Sequence, residues 1–411
     1  DKLTNNLLPL DKPIYAMVIH EASDLNPNSR VEYLGANKNF TPMSMNMSTH
    51  AMNYGSWADW SWLKANVPVM CNFDGGIDYY LNPNDYTKKA DGTDSDVSNI
   101  DYSGDAMSVI QKIYKKEYKV GNDRYVFFCE RKVDEDFKAV GFNVLGKERD
   151  YMLIPMFYGS IDANGKMRSI AGQWSCLTAS GSAADNSTGT AIGTAEQNAA
   201  IQKASKNALF FGGALVNTLA DICVLLSKST NSQTAFGYGM CSTYVNDKDQ
   251  HYGTQINTVV GGGQFYGSSD QKSFNKIFHS CVMGSYMLWQ RDPYMLLKNG
   301  RILVSPDYTY DLTGATYLDT GVDLAANGYY ATTRVIEDFG AVPTDELVCS
   351  SATGYCDHTW VNATILAGSL RFGNCFNGLD DGLFARTLNF VAADALWYVG
   401  ASKLLPAPAA A

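Results

Sequence analysis

The feature that most constrains this chain is its one sustained stretch of helical periodicity. Residues 214–228 place Leu215, Leu219, Ile222, Leu225 and Leu226 at helical spacing, a wide apolar face that predicts a well-buried helix. Upstream, Thr194 with Gln197 three positions on reads as a capping box that opens a shorter helix to about residue 204. Gly212 and Gly213 separate the two. Elsewhere apolar residues come in short runs: Ile14 to Ile19, Val67 to Met70, Tyr125 to Cys129, Ala139 to Val144 and Tyr151 to Met156. Charged or Gly/Asn turns bound these runs, so they read as strands, and Asn164-Gly165 marks a hairpin. Two helices packed on short antiparallel strands predict an α+β fold with long loops.

A chain of 411 residues with 45% apolar side chains has material for a large core or for two to three domains. Only 18% of residues are charged and the net charge is -10. That balance argues against nucleic acid, whose recognition needs a concentrated basic field. Lys112, Lys115, Lys116 and Lys119 form the best local exception and read as a solvated face. No run of 18 or more apolar residues is present, so membrane insertion through a helix is not expected. The start at Asp1 shows no leader pattern, as a mature secreted chain also would not. Nine cysteines without a CxxC pair argue against a disulfide scaffold; Cys349 and Cys356 are spaced to bridge, and buried thiols are otherwise expected. Trp57, Trp60 and Trp62 are expected to close a core or a subunit contact. Asp91 to Asp96 lacks the spacing of a calcium loop and reads as a turn. The glycine-rich residues 261–270 lack the Gly-Lys-Ser/Thr ending of a phosphate cradle.

The last fifty residues carry a more specific pattern: Leu366-Ala-Gly-Ser-Leu-Arg-Phe-Gly-Asn-Cys375, then Asn377-Gly378, Gly382, Leu388-Asn389 and Trp397-Tyr-Val-Gly-Ala401. In order and spacing these resemble the variable proteins of diversity-generating retroelements, whose C-terminal module is a C-type-lectin-like fold related to formylglycine-generating enzymes. Ala367 departs from the usual gly-gly-ser segment. Residues 154–161, 167–170, 226–234, 289–294 and 299–306 resemble phage tail proteins that carry this module, so the resemblance spans roughly 65–405. It implies a small β-containing attachment or oligomerisation domain over 1–104, a C-type-lectin-like domain over 105–405 with a variable region at about 370–400, and a flexible tail at 406–411.

The resemblance also implies a role: receptor-binding protein at a phage tail, acting outside the cell as part of the virion, homotrimeric, in contact with other tail proteins and with a host-surface protein or glycan. The implied ligand-binding positions are Phe376, Leu379, Asp380, Asp381, Leu383, Phe384, Thr387, Phe390, Asp394, Leu396 and Tyr398. Nine of these, all but Asp381 and Phe384, are reachable from an adenine-rich Asn codon by changing its first two bases. Phe390 and Leu396 also read as core. Gly373, Asn377, Gly378, Gly382, Asn389, Trp397 and Gly400 would be the scaffold, with glycines for tight turns and Trp397 as an anchor. Alternatives are a structural tail or baseplate component that uses the fold for subunit contacts, and a bacterial surface adhesin.

No enzyme, cofactor or metal is expected. Cys375 has no second active-site cysteine to match the copper pair of the related enzymes, and no GxSxG or histidine motif occurs. His358 beside Asp357 reads as a loop histidine. Loop aspartates are abundant, Asp307, Asp311 and Asp319 among them, but spacing along the chain places no two at the separation that glycoside cleavage requires.

Overall fold

The computed structural model describes residues 12–21, 25–173, 175, 192–243, 257, 259–325, 327–396 and 398–408. The architecture is α+β: short strands, mostly antiparallel, around two helices longer than five residues, Thr194–Ala204 and Gly213–Ser227, among the described residues.

Three sheets carry the fold. A four-stranded sheet runs Val31–Gly35, Tyr15–His20, Asp123–Cys129, Tyr114–Val120. A seven-stranded sheet runs Leu209–Phe210, Lys403–Pro406, Tyr151–Pro155, Gly104–Gln111, Pro68–Asn72, Ile77–Asn82, Asp85–Lys89. The third runs Leu318–Asp323, Arg301–Val304, Trp289–Lys298, Leu366–Arg371, Arg386–Phe390, His358–Val361, Gly328–Tyr330, with Val399–Gly400 alongside Trp289–Lys298. Two of its pairings are parallel: Trp289–Lys298 with Val399–Gly400, and His358–Val361 with Arg386–Phe390.

The boundary expected at 104 does not separate two packed units. Tyr15 pairs with Phe128 in one sheet and Pro68 with Ser108 in another. A single apolar core takes in Met17, Trp57, Val109, Leu219, Tyr294 and Leu405. Nor does a tail begin at 406: Pro406 closes a strand against Met152, and Ala407 is buried. The run 139–144 yields only the two-residue strand Asn143–Val144, because Gly141 adopts a positive φ of 89° and its Cα packs on the helix backbone at Leu215. The hairpin at Asn164-Gly165 forms as expected, joining Ser160–Ile161 to Met167–Arg168.

The Gly213–Ser227 helix is buried on every side; Ser227 alone is not fully enclosed. It thus packs against several layers, as an all-round apolar helix must. Gly213 opens it at φ 63°, with the Tyr294 and Tyr308 rings where a Cβ would sit. Its one acidic residue, Asp221, meets Arg124 (2.8 and 2.5 Å) and Lys115 (2.6 Å) from the four-stranded sheet. Lys115 is therefore buried, not solvated. Lys112, Lys116 and Lys119 are each paired, with Glu148 and Asp150, with Asp136, and with Glu21.

The Thr194–Ala204 helix has Gly193, not Thr194, at its N-cap, with no side-chain cap. Thr194 and Gln197 instead accept hydrogen bonds from Arg291 (both 2.9 Å). Trp57, Trp60 and Trp62 lie in the core. Cys349 and Cys356 remain unbridged, and the cysteines among the described residues are all free thiols. Asp91 and Asp94 are spent on a local turn with Thr93 and an ion pair with Lys88.

Candidate functional site

The segment 366–398 is two antiparallel strands, Leu366–Arg371 and Arg386–Phe390, joined by a loop and followed by a second loop that returns beneath Trp289. The joining loop is tied down along its backbone. Cys375 N donates to Met287 O (3.0 Å), Gly378 N to Cys241 O (2.9 Å) and Gly382 N to Phe372 O (3.0 Å). Leu383 N donates to the Ser232 hydroxyl (3.0 Å) and Phe384 N to Asp357 (2.8 Å). Gln233 donates to Gly378 O (3.1 Å). Glycine is required at two of these turns. At Gly373 (φ 113°) a Cβ would fall inside the Asp381 carboxylate, and at Gly382 (φ 157°) inside that of Asp357.

From this pinned backbone Phe376 and Leu379 project into solvent, 43% and 50% exposed. Asp380, Phe384, Phe390, Asp394, Leu396 and Tyr398 are half-buried. Asp381, Leu383 and Thr387, expected to face outward, are buried. Asp381 is folded back against Gly373 in the tight turn, Leu383 enters the main core, and the Thr387 hydroxyl bonds Asn389 beside it. Asn377 is half-buried, Asn389 exposed, and Gly400 pairs with Gln290. Trp397 lies outside the described residues.

Trp360, Phe390 and Tyr398 gather over a small apolar cluster of Trp289, Leu370, Ala385 and Val399, separate from the main core. Phe390 and Leu396 belong to this layer, part packing and part surface. The Phe376 ring meets that of Tyr398 edge-on at 5.0 Å, and Phe390 meets Tyr398 at 6.5 Å. Such pairs hold rings in place beyond what burial alone supplies.

Three further aromatics extend this face. His358 and Trp360, two apart on strand His358–Val361, share its outer side, while Thr359 and Val361 turn inward. Tyr330 stands opposite His358 across the sheet. Their rings are 5.1 Å (Tyr330 to His358) and 4.4 Å (His358 to Trp360) apart, and the His358 ring lies on the bare backbone of Gly328. The Tyr330 hydroxyl donates to Asp380 (2.5 Å), and burial with that carboxylate pushes its pKa up to about 12. Sequence reading missed Tyr330 and Trp360; the alternation in residues 356–361 was the available signal.

Chemically the face is aromatic and acidic. Between residues 361 and 402 the only cations are Arg371 and Arg386, both buried. Asp357 points inward, and burial holds its carboxyl well above the ordinary value; His358 points outward, its pKa lowered by partial burial. The adjacent pair therefore does not converge on one ion, and among the described residues no three His, Cys, Asp or Glu side chains do. Burial pushes the Cys375 thiol up to about 12, the opposite of an activated nucleophile. Asp307 and Asp311 accept bonds within their own turns and Asp319 pairs with Arg301. A separate open cleft of about 870 Å³ lies between strand Tyr114–Val120 and the hairpin Thr332–Thr344, but Lys116, Lys119 and Arg334 in its walls are each matched by a carboxylate. No protein-family model and no curated protein matches the chain in sequence.

Proposed function

We propose that this protein is a binding protein of the C-type-lectin-like kind that engages a host-surface ligand through the face built by residues 376–398 together with Tyr330, His358 and Trp360, as the receptor-binding protein of a phage tail. The observation that carries this reading is the contrast between backbone and side chains in one loop. Its backbone is fixed by hydrogen bonds on both flanks and by glycines, while Phe376, edge-on to Tyr398, and Leu379 keep 43% and 50% of their surface in water. Exposed apolar side chains on a rigid support, next to half-buried aromatics, are what a binding hot spot requires. A folded core gains nothing from them. The resemblance in residues 366–401 supplies the class of ligand and the tail setting, and many copies at a tail tip would multiply weak contacts.

The test is adsorption of the purified protein to host cells with Phe376→Ala and Leu379→Ala variants. Each should weaken binding at least about tenfold, equivalent to ~1.4 kcal/mol, without lowering the melting temperature. Unchanged adsorption by the double variant would remove the face from the binding role. Sequencing around the gene tests diversification directly: a near-copy of codons 370–400 that differs only at adenines, beside a reverse transcriptase, is expected.

A further inference from the structure

Beneath the candidate face the core holds more positive than negative charge at one place. Arg371 and Arg386 reach from neighbouring strands toward the start of the Gly213–Ser227 helix. Arg371 donates to Asp292, to Asn217 Oδ1 (2.9 Å) and to the Gly213 carbonyl (3.3 Å). Arg386 donates to the same Asn217 oxygen (2.7 Å), to the Ser369 hydroxyl (3.3 Å) and to the Met295 sulfur (3.5 Å), a weak acceptor. Among the described residues Asp292 is the one carboxylate within 4 Å of either guanidinium, and it lies 3.7 Å from Arg386. One carboxylate therefore serves two buried guanidiniums.

Nearby charges do not make up the difference. Asp221 is already matched, with Glu117, to Lys115 and Arg124. Burial drives Asp357 toward its neutral form. Burial and the like charge of Arg371 depress the pKa of Arg386. A cavity borders the pair, lined by Asn217, Asp221, Tyr355, Asp357, Arg371 and Arg386 among others. It leaves about 20 Å³ for the centre of a water-sized sphere, room for about one small guest.

We propose that this cavity is an anion site that lodges a single monatomic anion, chloride in saline media, against the Arg371 and Arg386 guanidiniums. A water molecule there would satisfy hydrogen bonds but leave the extra cation uncompensated, and an unpaired buried charge is strongly destabilising. A bound anion would also fasten strand Arg386–Phe390, which supports the outer face, to the central helix. This goes beyond the binding role proposed above and does not depend on it.

Bromide tests the site on the unaltered protein. Crystals grown in sodium bromide should show an anomalous peak in this cavity, in contact with both guanidiniums. The melting temperature should be higher in sodium chloride than in sodium gluconate at equal ionic strength, by on the order of a few degrees. In Arg386→Met the chloride-specific increment should vanish. Bromide confined to the surface, with equal melting temperatures in the two salts, overturns the proposal, and the bromide experiment decides it even if Arg386→Met fails to fold.

Discussion

Gly373 and Asp357 show how much single residues are asked to do beneath this surface. A methyl group on Gly373 meets a buried carboxylate in a backbone conformation that L side chains rarely adopt. Gly373→Ala is therefore expected to cost about 2–4 kcal/mol, read by urea unfolding. Asp357 is raised by burial, so it contributes stability that is full below its ordinary pKa and is lost as pH rises toward its folded value. Relative to Asp357→Asn, the native protein should lose stability as pH rises above the ordinary carboxylate range; parallel profiles for the two would contradict this assignment. The glycines were legible from residue type and motif. The inward turn of Asp381 was not, because its direction is set by the loop's path through Gly373 and Gly382 and by nothing in its immediate neighbours.

At the level of elements, the Gly213–Ser227 helix is the member most plainly written in the chain, since its apolar spacing leaves no alternative. The partners of its polar residues were hidden. Asp221 on that helix ties it to Lys115 and Arg124 on the four-stranded sheet, residues about 100 positions away. Removing the carboxylate leaves Glu117 alone against two buried cations, so Asp221→Ala should cost about 3–5 kcal/mol. Adding Arg124→Met should recover part of that loss, as a double-mutant cycle in chemical unfolding will show. Lys115 reads as solvent-facing within YKKEYKV because alternation alone does not say which side of a strand will meet a charged helix. The same limit applied to Thr194 and Gln197, whose spacing fits a cap but whose side chains are taken by Arg291.

For the whole molecule the decisive fact is that both halves of the chain share sheets. Strand Lys403–Pro406 lies between Leu209–Phe210 and Tyr151–Pro155, and Lys403 is buried against Asp105. A fragment covering 105–405 should accordingly fail to give a native near-ultraviolet circular dichroism spectrum, since it leaves two sheets without their Tyr15–His20 and Pro68–Asn72 strands. The intact chain should unfold in one cooperative transition. By itself the sequence determined the local quantities: two helices, the strands Tyr15–His20, Pro68–Asn72, Asp123–Cys129 and Tyr151–Pro155, the hairpin at Asn164-Gly165, and a C-terminal segment of glycines and apolar residues suited to presenting side chains. Those follow from spacing, turn chemistry and side-chain volume, which act over a few residues. Only the tertiary structure decided that residues before and after 104 share one core, which of the 376–398 side chains face water, that Tyr330 and Trp360 join them, and that Arg371 and Arg386 converge on one carboxylate. Each of these is a contact between distant parts of the chain, fixed by how buried surface and buried charge are matched once all the layers are assembled.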